Sequence, residues 1–203
     1  MFYDRAEAGR LLAERLKKYQ KDGVAAAIPR GGVVLGAEIA RLLEIPLELV
    51  LVRKIGHPSN PEYAICAVSE AGEKCNELET SIVDKSWLEE RKKEERKEIA
   101  RRKEIYLKGR SSVNMEGKTV ILVDDGIATG LTYLTAVDEL RKRKPAKIVA
   151  ALPVMPAEFE ETLKKAVDEV VCLSIDKNYL RAVGAYYSQF PQVTDEEVIE
   201  MMK

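Results

Sequence analysis

Histidine and tryptophan occur once each in this chain of 203 residues, as His57 and Trp87, and cysteine only three times. The three cysteines, Cys66, Cys75 and Cys172, are odd in number and lack metal-ligand spacing, so reduced thiols are expected, not a disulfide framework or a zinc site. With a single histidine and no local partner for it, a cysteine–histidine nucleophile is not indicated. No apolar run approaches the ~18 residues a membrane span needs. The opening Met1 to Arg5 leads into no apolar signal core, so a cytoplasmic location is expected. Neither sign of charge dominates: 33 basic residues face 34 acidic ones. A broad nucleic-acid surface usually shows as a basic excess, so that class is disfavoured. Repeats and low-complexity segments are also missing.

What remains is a normal apolar content of 46%, enough for one α/β core with an appended lobe and too little chain for two independent domains. Asp4 caps an expected helix running to about Tyr19, with Ala8, Leu11, Leu12 and Leu16 on one face. Val24–Ile28 reads as a buried strand, Val33–Leu43 as a helix and Leu47–Val52 as the next strand, a compact βαβ unit. Residues 53–80 break the rhythm. Gly56-His57-Pro58-Ser59-Asn60-Pro61 is loop chemistry, and Tyr63–Ser69 with Lys74–Leu78 suggests a hairpin around Ala71-Gly72. A charged helix is expected over about 84–108, largely solvated and supported by i,i+4 pairs. Its interleaved glutamates favour a spacer over an RNA-binding arm. Further strands are expected at 120–123, 147–154 and 169–173, with helices at 131–143 and 157–166. A terminal helix starts at the capping box Thr194/Glu197.

The most informative stretch runs from Val120 to Thr132. Four apolar β-formers, Val120-Ile121-Leu122-Val123, read as a strand buried on both faces. They end abruptly in Asp124-Asp125, at the carboxyl edge where open α/β sheets bind ligands. Gly126-Ile127-Ala128-Thr129-Gly130 then turns into a helix, so amide groups can converge on an anion. Adjacent acids beside a phosphate-sized nest suit a polyhydroxylated, phosphorylated ligand; an ordinary strand with an acidic end is the plainer alternative. Two other nucleotide motifs are absent. Gly117-Lys118-Thr119 precedes a strand and has Ser112 where the first glycine of a P-loop belongs. Gly31-Gly32-x-x-x-Gly36 has the wrong spacing for a dinucleotide fingerprint.

The segment from Val120 to Thr132 resembles the signature of the type I phosphoribosyltransferases, which bind 5-phosphoribosyl-1-pyrophosphate (PRPP). Together with Arg30-Gly-Gly, Arg53-Lys-Ile-Gly-His-Pro-x-Asn-Pro-Glu and Ala182-Val-Gly-Ala-Tyr-Tyr, it makes essentially the whole chain similar to a little-characterised branch of predicted phosphoribosyltransferases. The resemblance implies a Rossmann-like α/β fold: a five-stranded parallel sheet with helices on both faces, a flap insertion after strand two and a small hood lobe. The whole of residues 1–203 would form one domain, with the flap over about 56–110 and the hood from about 1–20 and 176–203.

The resemblance also implies roles. Asp124 and Asp125 would hold the ribose hydroxyls and a Mg2+ ion, directly or through water. Gly126, Ile127, Ala128, Thr129, Gly130 and Thr132 would cradle the 5-phosphate. Arg30, Gly31 and Gly32 would form the pyrophosphate loop, Arg30 acting in catalysis with the two acids. Arg53-Lys54, read as the end of strand two, would reach the pyrophosphate across the closed site. Taken alone, Arg-Gly-Gly before a helix is equally a tight turn, and for the basic pair a solvated strand end is the lesser alternative, since two cations there would repel unless an anion lay between them. His57, Glu62 and Glu70 are candidate flap contacts, though a lone loop histidine is more often a surface residue. Ala128 stands where hypoxanthine-guanine enzymes carry an aspartate, as it does in adenine enzymes, so Glu62 or Glu70 would have to supply any base. Val183, Tyr186 and Tyr187 are candidates for reading the acceptor; the tyrosines could equally fill the lobe's core. The implied reaction transfers phosphoribosyl from PRPP to a nitrogen acceptor, a nucleobase in nucleotide salvage. The partners are then small molecules, with neither nucleic acid nor membrane, and a homo-oligomer is expected. A PRPP-sensing regulator on the same fold and a hydrolase are the competing classes; near-neutral charge speaks against the first and a closing flap against the second.

Overall fold

A computed structural model of the chain describes residues 1–203. The side chain of Glu62 lies outside the described residues, and with it the expectation that Glu62 contacts the ligand or acts as a base. The first helix, α1 (Arg5–Arg15), is capped by Asp4, whose carboxylate accepts from the Glu7 amide at 2.7 Å. A 3-10 turn over Lys17–Tyr19 leads to β1 (Val24–Ala27), α2 (Gly31–Leu43) and β2 (Leu47–Leu49). Next come β3 (Val52–His57), β4 (Asn60–Ser69), β5 (Glu73–Cys75), a short α3 (Glu77–Ser81) and the long α4 (Lys85–Tyr106). The remainder is β6 (Thr119–Val123), α5 (Leu131–Lys142), β7 (Lys147–Pro156), α6 (Glu160–Ala166), β8 (Glu169–Asp176) and α7 (Asp195–Met201).

Five strands pair in parallel in the order β2-β1-β6-β7-β8, the doubly wound α/β sheet expected from the sequence. Side chains alternate across a strand, and the core divides accordingly. Ala25, Ala27, Ile121 and Val123 join the layer built with α1 and α2. Val24, Ala26, Val120 and Leu122 join the layer containing Tyr133, Ala136 and Leu140 of α5 and Leu163 of α6. Both layers exclude water from β6, which is why its sequence is an unbroken apolar run. The Tyr133 hydroxyl donates to the Leu122 carbonyl at 2.7 Å and ties α5 to the strand it follows. The terminal capping box of Thr194 and Glu197 is present as read. Among the described residues no helix is long and apolar enough to cross a membrane.

Three sequence expectations need correction. The second core strand is shorter than Leu47–Val52. It ends at Leu49, and Val52 opens β3, which pairs antiparallel with β4 in a separate three-stranded sheet. Arg53 and Lys54 therefore lie opposite Val68 and Ala67 in that hairpin, not at the edge of the parallel sheet. The apolar pattern runs straight through Leu49 to Val52 because both sheets bury it; only the change of pairing partner separates them. The prolines of 56–61 do not make a long loop either. A tight turn at Pro58-Ser59 joins β3 to β4, with His57 Nδ1 accepting from the Ser59 amide at 3.2 Å. Cys66 and Cys75, expected as free thiols, are ladder partners on β4 and β5, with Cα atoms 4.0 Å apart and the sulfurs joined. Hairpin register brought them together, and their spacing alone carried no such signal. Cys172 stays free, and burial pushes its thiol up to about 11, far from a nucleophile's range.

Outside the site, Glu169 at the start of β8 clamps the start of β7 to the 3-10 turn that follows α1. It accepts from Lys147 Nζ and the Tyr19 hydroxyl, both at 2.7 Å, and pairs with Lys18 at 2.7 Å. Burial opposes its ionisation, but the hydrogen bonds from Lys147, Lys18 and Tyr19 win and bring it to about 2. A carboxyl lowered on folding stabilises above its unfolded value and loses that contribution as pH falls towards the folded one. Glu169→Gln is therefore expected to melt below the parent protein at pH 7 and level with it at pH 2. Thermal unfolding at the two pH values checks this, and a constant difference would refute it.

Candidate functional site

The carboxyl ends of β1 and β6 lie side by side, the Ile28 amide donating to the Val123 carbonyl at 3.0 Å. Each strand then passes into a glycine-containing loop and a helix. After β1, Pro29-Arg30 is joined by a cis peptide bond and Gly31 opens α2. After β6, Asp124-Asp125 leads through residues 126–130 to α5. The two loops pack without a gap. A methyl group on Gly32 would lie 2.8 Å from the Val123 carbonyl oxygen and 3.0 Å from Asp124 Cα. One on Gly31 would lie 2.0 Å from Asp125 Oδ2. Arg30, Gly31, Gly32, Asp124 and Asp125 thus form one continuous surface at the sheet edge.

In the 126–132 loop, Ile127 is buried and its amide donates to the Val154 carbonyl at 3.1 Å, while Ala128 and Thr129 are exposed. Gly130 has φ +80°, a left-handed conformation that suits glycine. A methyl group there would meet the Phe159 ring at 2.1 Å, so Phe159 covers the loop from behind. The first-turn amides of α5, from Leu131 to Tyr133, have no intrahelical acceptor, the arrangement that suits an anion at a helix start.

Asp125, Arg30 and Arg53 are each held by an opposite charge from another element. Asp125 Oδ2 accepts from Arg5 Nε of α1 at 2.8 Å. Arg30 pairs with Asp195 of α7 at 3.6 Å, and Asp195 also binds Arg101 at 2.8 Å and accepts from the Tyr106 hydroxyl. Arg53 Nε donates to Glu95 of α4 at 2.7 Å. Helix α4, expected as a solvated spacer, therefore buries Glu95, Ile99, Arg102 and Tyr106 and supplies counter-charges along its length. Glu95 and Tyr106 lie about three turns apart, roughly 16 Å along the helix axis. Arg53 and Arg30 are accordingly held near opposite ends of that stretch.

Burial raises the Asp124 carboxyl well above the usual range, and the neighbouring Asp125 charge adds to this. Burial raises Asp125 too, with Arg5 acting against it. Asp124 Oδ1 accepts from the Asp125 amide at 2.9 Å. Among the described residues no group of three or more His, Cys, Asp or Glu side chains could cage a metal ion. Two adjacent carboxylates suit a Mg2+ ion that keeps most of its coordination for water and substrate oxygens.

The remaining expected residues are dispersed. Glu70 is ion-paired with Lys103 of α4 at 2.9 Å, and His57 shapes the hairpin turn. Tyr187 is buried between Phe2 and Phe190 and donates to the Asp125 carbonyl at 2.6 Å, which makes it packing for the acidic turn. The Tyr186 hydroxyl donates to Asp176 at 2.6 Å, and its ring stacks on Tyr179. Val183 packs against Gly126. Sequence reading missed Arg5, Glu95, Phe159 and Asp195. Only Arg5 left a trace: a cation spaced with Ala8, Gly9 and Leu12 on the apolar face of α1.

A doubly wound sheet, acids at the end of β6 and a glycine loop beside them form the arrangement that the phosphoribosyltransferase resemblance implies. Residues 3–189 match the phosphoribosyl transferase domain model, and the chain belongs to that family. Two Mycobacterium tuberculosis proteins provisionally named phosphoribosyl transferases, from strains CDC 1551 / Oshkosh and ATCC 25618 / H37Rv, are each 35% identical over 206 residues. The match takes in 100% of this chain and 46% of theirs, so the chain spans about half the length of these curated relatives. The crystal structure of TT1426 from Thermus thermophilus is similar throughout, with a TM-score of 0.80 at 40% identity, covering 99% of this chain and 97% of that one.

Proposed function

We propose that this chain transfers the phosphoribosyl group of PRPP to a nitrogen acceptor, a nucleobase, with release of pyrophosphate. The observation that carries the reading is the direct packing of Gly31-Gly32 on Asp124-Asp125. It sets a leaving-group loop against ribose-binding acids, and membership of the phosphoribosyl transferase family supports it.

In this reading the acceptor nitrogen attacks the anomeric carbon while the bond to the pyrophosphate oxygen breaks, its electrons leaving with pyrophosphate. Arg30 and the amides of Gly31 and Gly32 meet the charge growing on that oxygen. Asp124, with one oxygen not taken by the Asp125 amide, holds the ribose hydroxyls. Ala128, Thr129, Gly130 and Thr132 line the 5-phosphate. Mg2+ held near Asp124 would neutralise diphosphate charge when bound. Arg53 and Lys54 reach the leaving group only after the β3–β4 hairpin moves and Arg53 exchanges Glu95 for the substrate anion. Such closure also keeps water from the reactive cation. With Ala128 in the phosphate loop and Glu70 engaged by Lys103, an adenine-like acceptor fits best, its imidazole N–H proton leaving to solvent or to the departing pyrophosphate as the new bond forms.

The test is pyrophosphate release from PRPP and Mg2+ against purines, pyrimidines and nicotinic-type acids. Release that depends on one base supports transfer. Base-independent release would replace the reading with hydrolysis, and PRPP binding without turnover would replace it with a sensor.

A further inference from the structure

Arg5 lies on the buried face of α1, where a cation needs specific partners. It has three, from two segments far apart in sequence. Nε donates to Asp125 Oδ2 at 2.8 Å, Nη1 donates to the Pro191 carbonyl at 2.7 Å, and the guanidinium carbon lies 3.6 Å from the centre of the Phe190 ring. Asp125 is enclosed from its other sides as well. Gly31 abuts its carboxylate, and Tyr187 donates to its carbonyl oxygen. Phe190 in turn packs on Tyr187 and on Gly184 of the tail. The acidic turn, the anion loop and the C-terminal tail therefore meet around one guanidinium.

We propose that Arg5 is a positioning residue of the phosphoribosyl site, its planar fork locking Asp125 and the 190–191 segment together so that Asp124 and the Gly31-Gly32 loop keep their register before substrate arrives. This rests on the reaction read above and adds to it a residue from outside the three ligand loops. The fork is what the geometry requires. Two donors diverge to a carboxylate and a carbonyl while the flat face lies on an aromatic ring, which a lysine ammonium cannot reproduce. An ordinary stabilising ion pair would need only the charge.

The experiment compares Arg5→Ala and Arg5→Lys with the parent protein. Calorimetry measures PRPP with Mg2+ and, separately, pyrophosphate with Mg2+, which meets the Arg30 loop without the ribose. Hydrogen exchange is followed over residues 124–126 and 189–191. Misplacement of reacting groups by about 1 Å costs on the order of 100-fold, so PRPP affinity is expected to fall by roughly that factor in both variants. Pyrophosphate affinity should change by less than about threefold, well under that loss. Exchange should quicken in both segments. Millimolar ethylguanidinium should restore affinity and protection to Arg5→Ala, and ethylammonium should restore neither.

Arg5→Lys at parental affinity would overturn the proposal, leaving a simple charge effect. So would equal losses of PRPP and pyrophosphate binding, the mark of general destabilisation. A parent protein that bound neither ligand would overturn the functional reading by itself. Arg5 would then be judged on exchange alone, where unchanged protection at 124–126 and 189–191 counts against it.

Discussion

Asp124→Asn is expected to weaken PRPP binding by roughly 10- to 150-fold without lowering the melting temperature. The affinity estimate follows from hydrogen bonds to a charged group, worth about 1.5–3 kcal/mol, at tenfold per about 1.4 kcal/mol. The stability estimate follows from the surroundings of the two acids. Burial and the adjacent Asp125 both disfavour a charge on Asp124, so the folded protein gains nothing from having an acid there. A neutral amide of the same shape removes that tension. Asp125→Asn should do the reverse. It deprives Arg5, whose side chain is 10% exposed, of its counter-charge. Breaking one half of a buried ion pair costs about 3–5 kcal/mol, so this variant should melt well below the parent. Isothermal calorimetry and thermal unfolding measure the two effects. Unaltered PRPP affinity in Asp124→Asn would remove that residue from the ribose. Equal melting losses in the two variants would remove the division of labour between them.

Gly32→Ala should weaken both PRPP and pyrophosphate binding by roughly 5- to 150-fold, the range set by overpacking costs of about 1–3 kcal/mol. The added methyl would meet main chain, the Val123 carbonyl and Asp124 Cα, and neither can rotate aside. The loop itself must lift away from β6, carrying Arg30 and its amides off the acids. Gly31→Ala differs, because its nearest obstacle is the tip of a side chain, the Asp125 carboxylate. Its penalty should shrink in an Asp125→Ala background, whereas that of Gly32→Ala should not. Affinities from the two double-mutant cycles decide the matter. A Gly32→Ala protein that binds both ligands normally would show that the loop is free to adjust, and the packing argument for the site would fail.

Much of this was written in local sequence. A strand buried on both faces has no polar positions, and Val120–Val123 shows it; the acids mark where the strand leaves the core, and Gly126 and Gly130 mark the turn into α5. Asp4 and Thr194 name their helix starts because a cap contacts the backbone only two or three residues on. The parallel sheet follows from strands and helices in alternation. The sequence by itself determined most elements of the parallel core, the strand-end acids and the glycine loops, since each depends on neighbours within a few positions. Only the tertiary structure decided the electrostatic partners and the pairings. Arg5 finds Asp125 across 120 residues, Arg53 finds Glu95 across 42, and Cys66 finds Cys75 through a hairpin register. It also decided that β2 ends at Leu49 and that Arg53-Lys54 belongs to a second sheet. Such choices turn on which surfaces meet once the core has formed, and a buried charge must find its counter-charge on whichever surface that is.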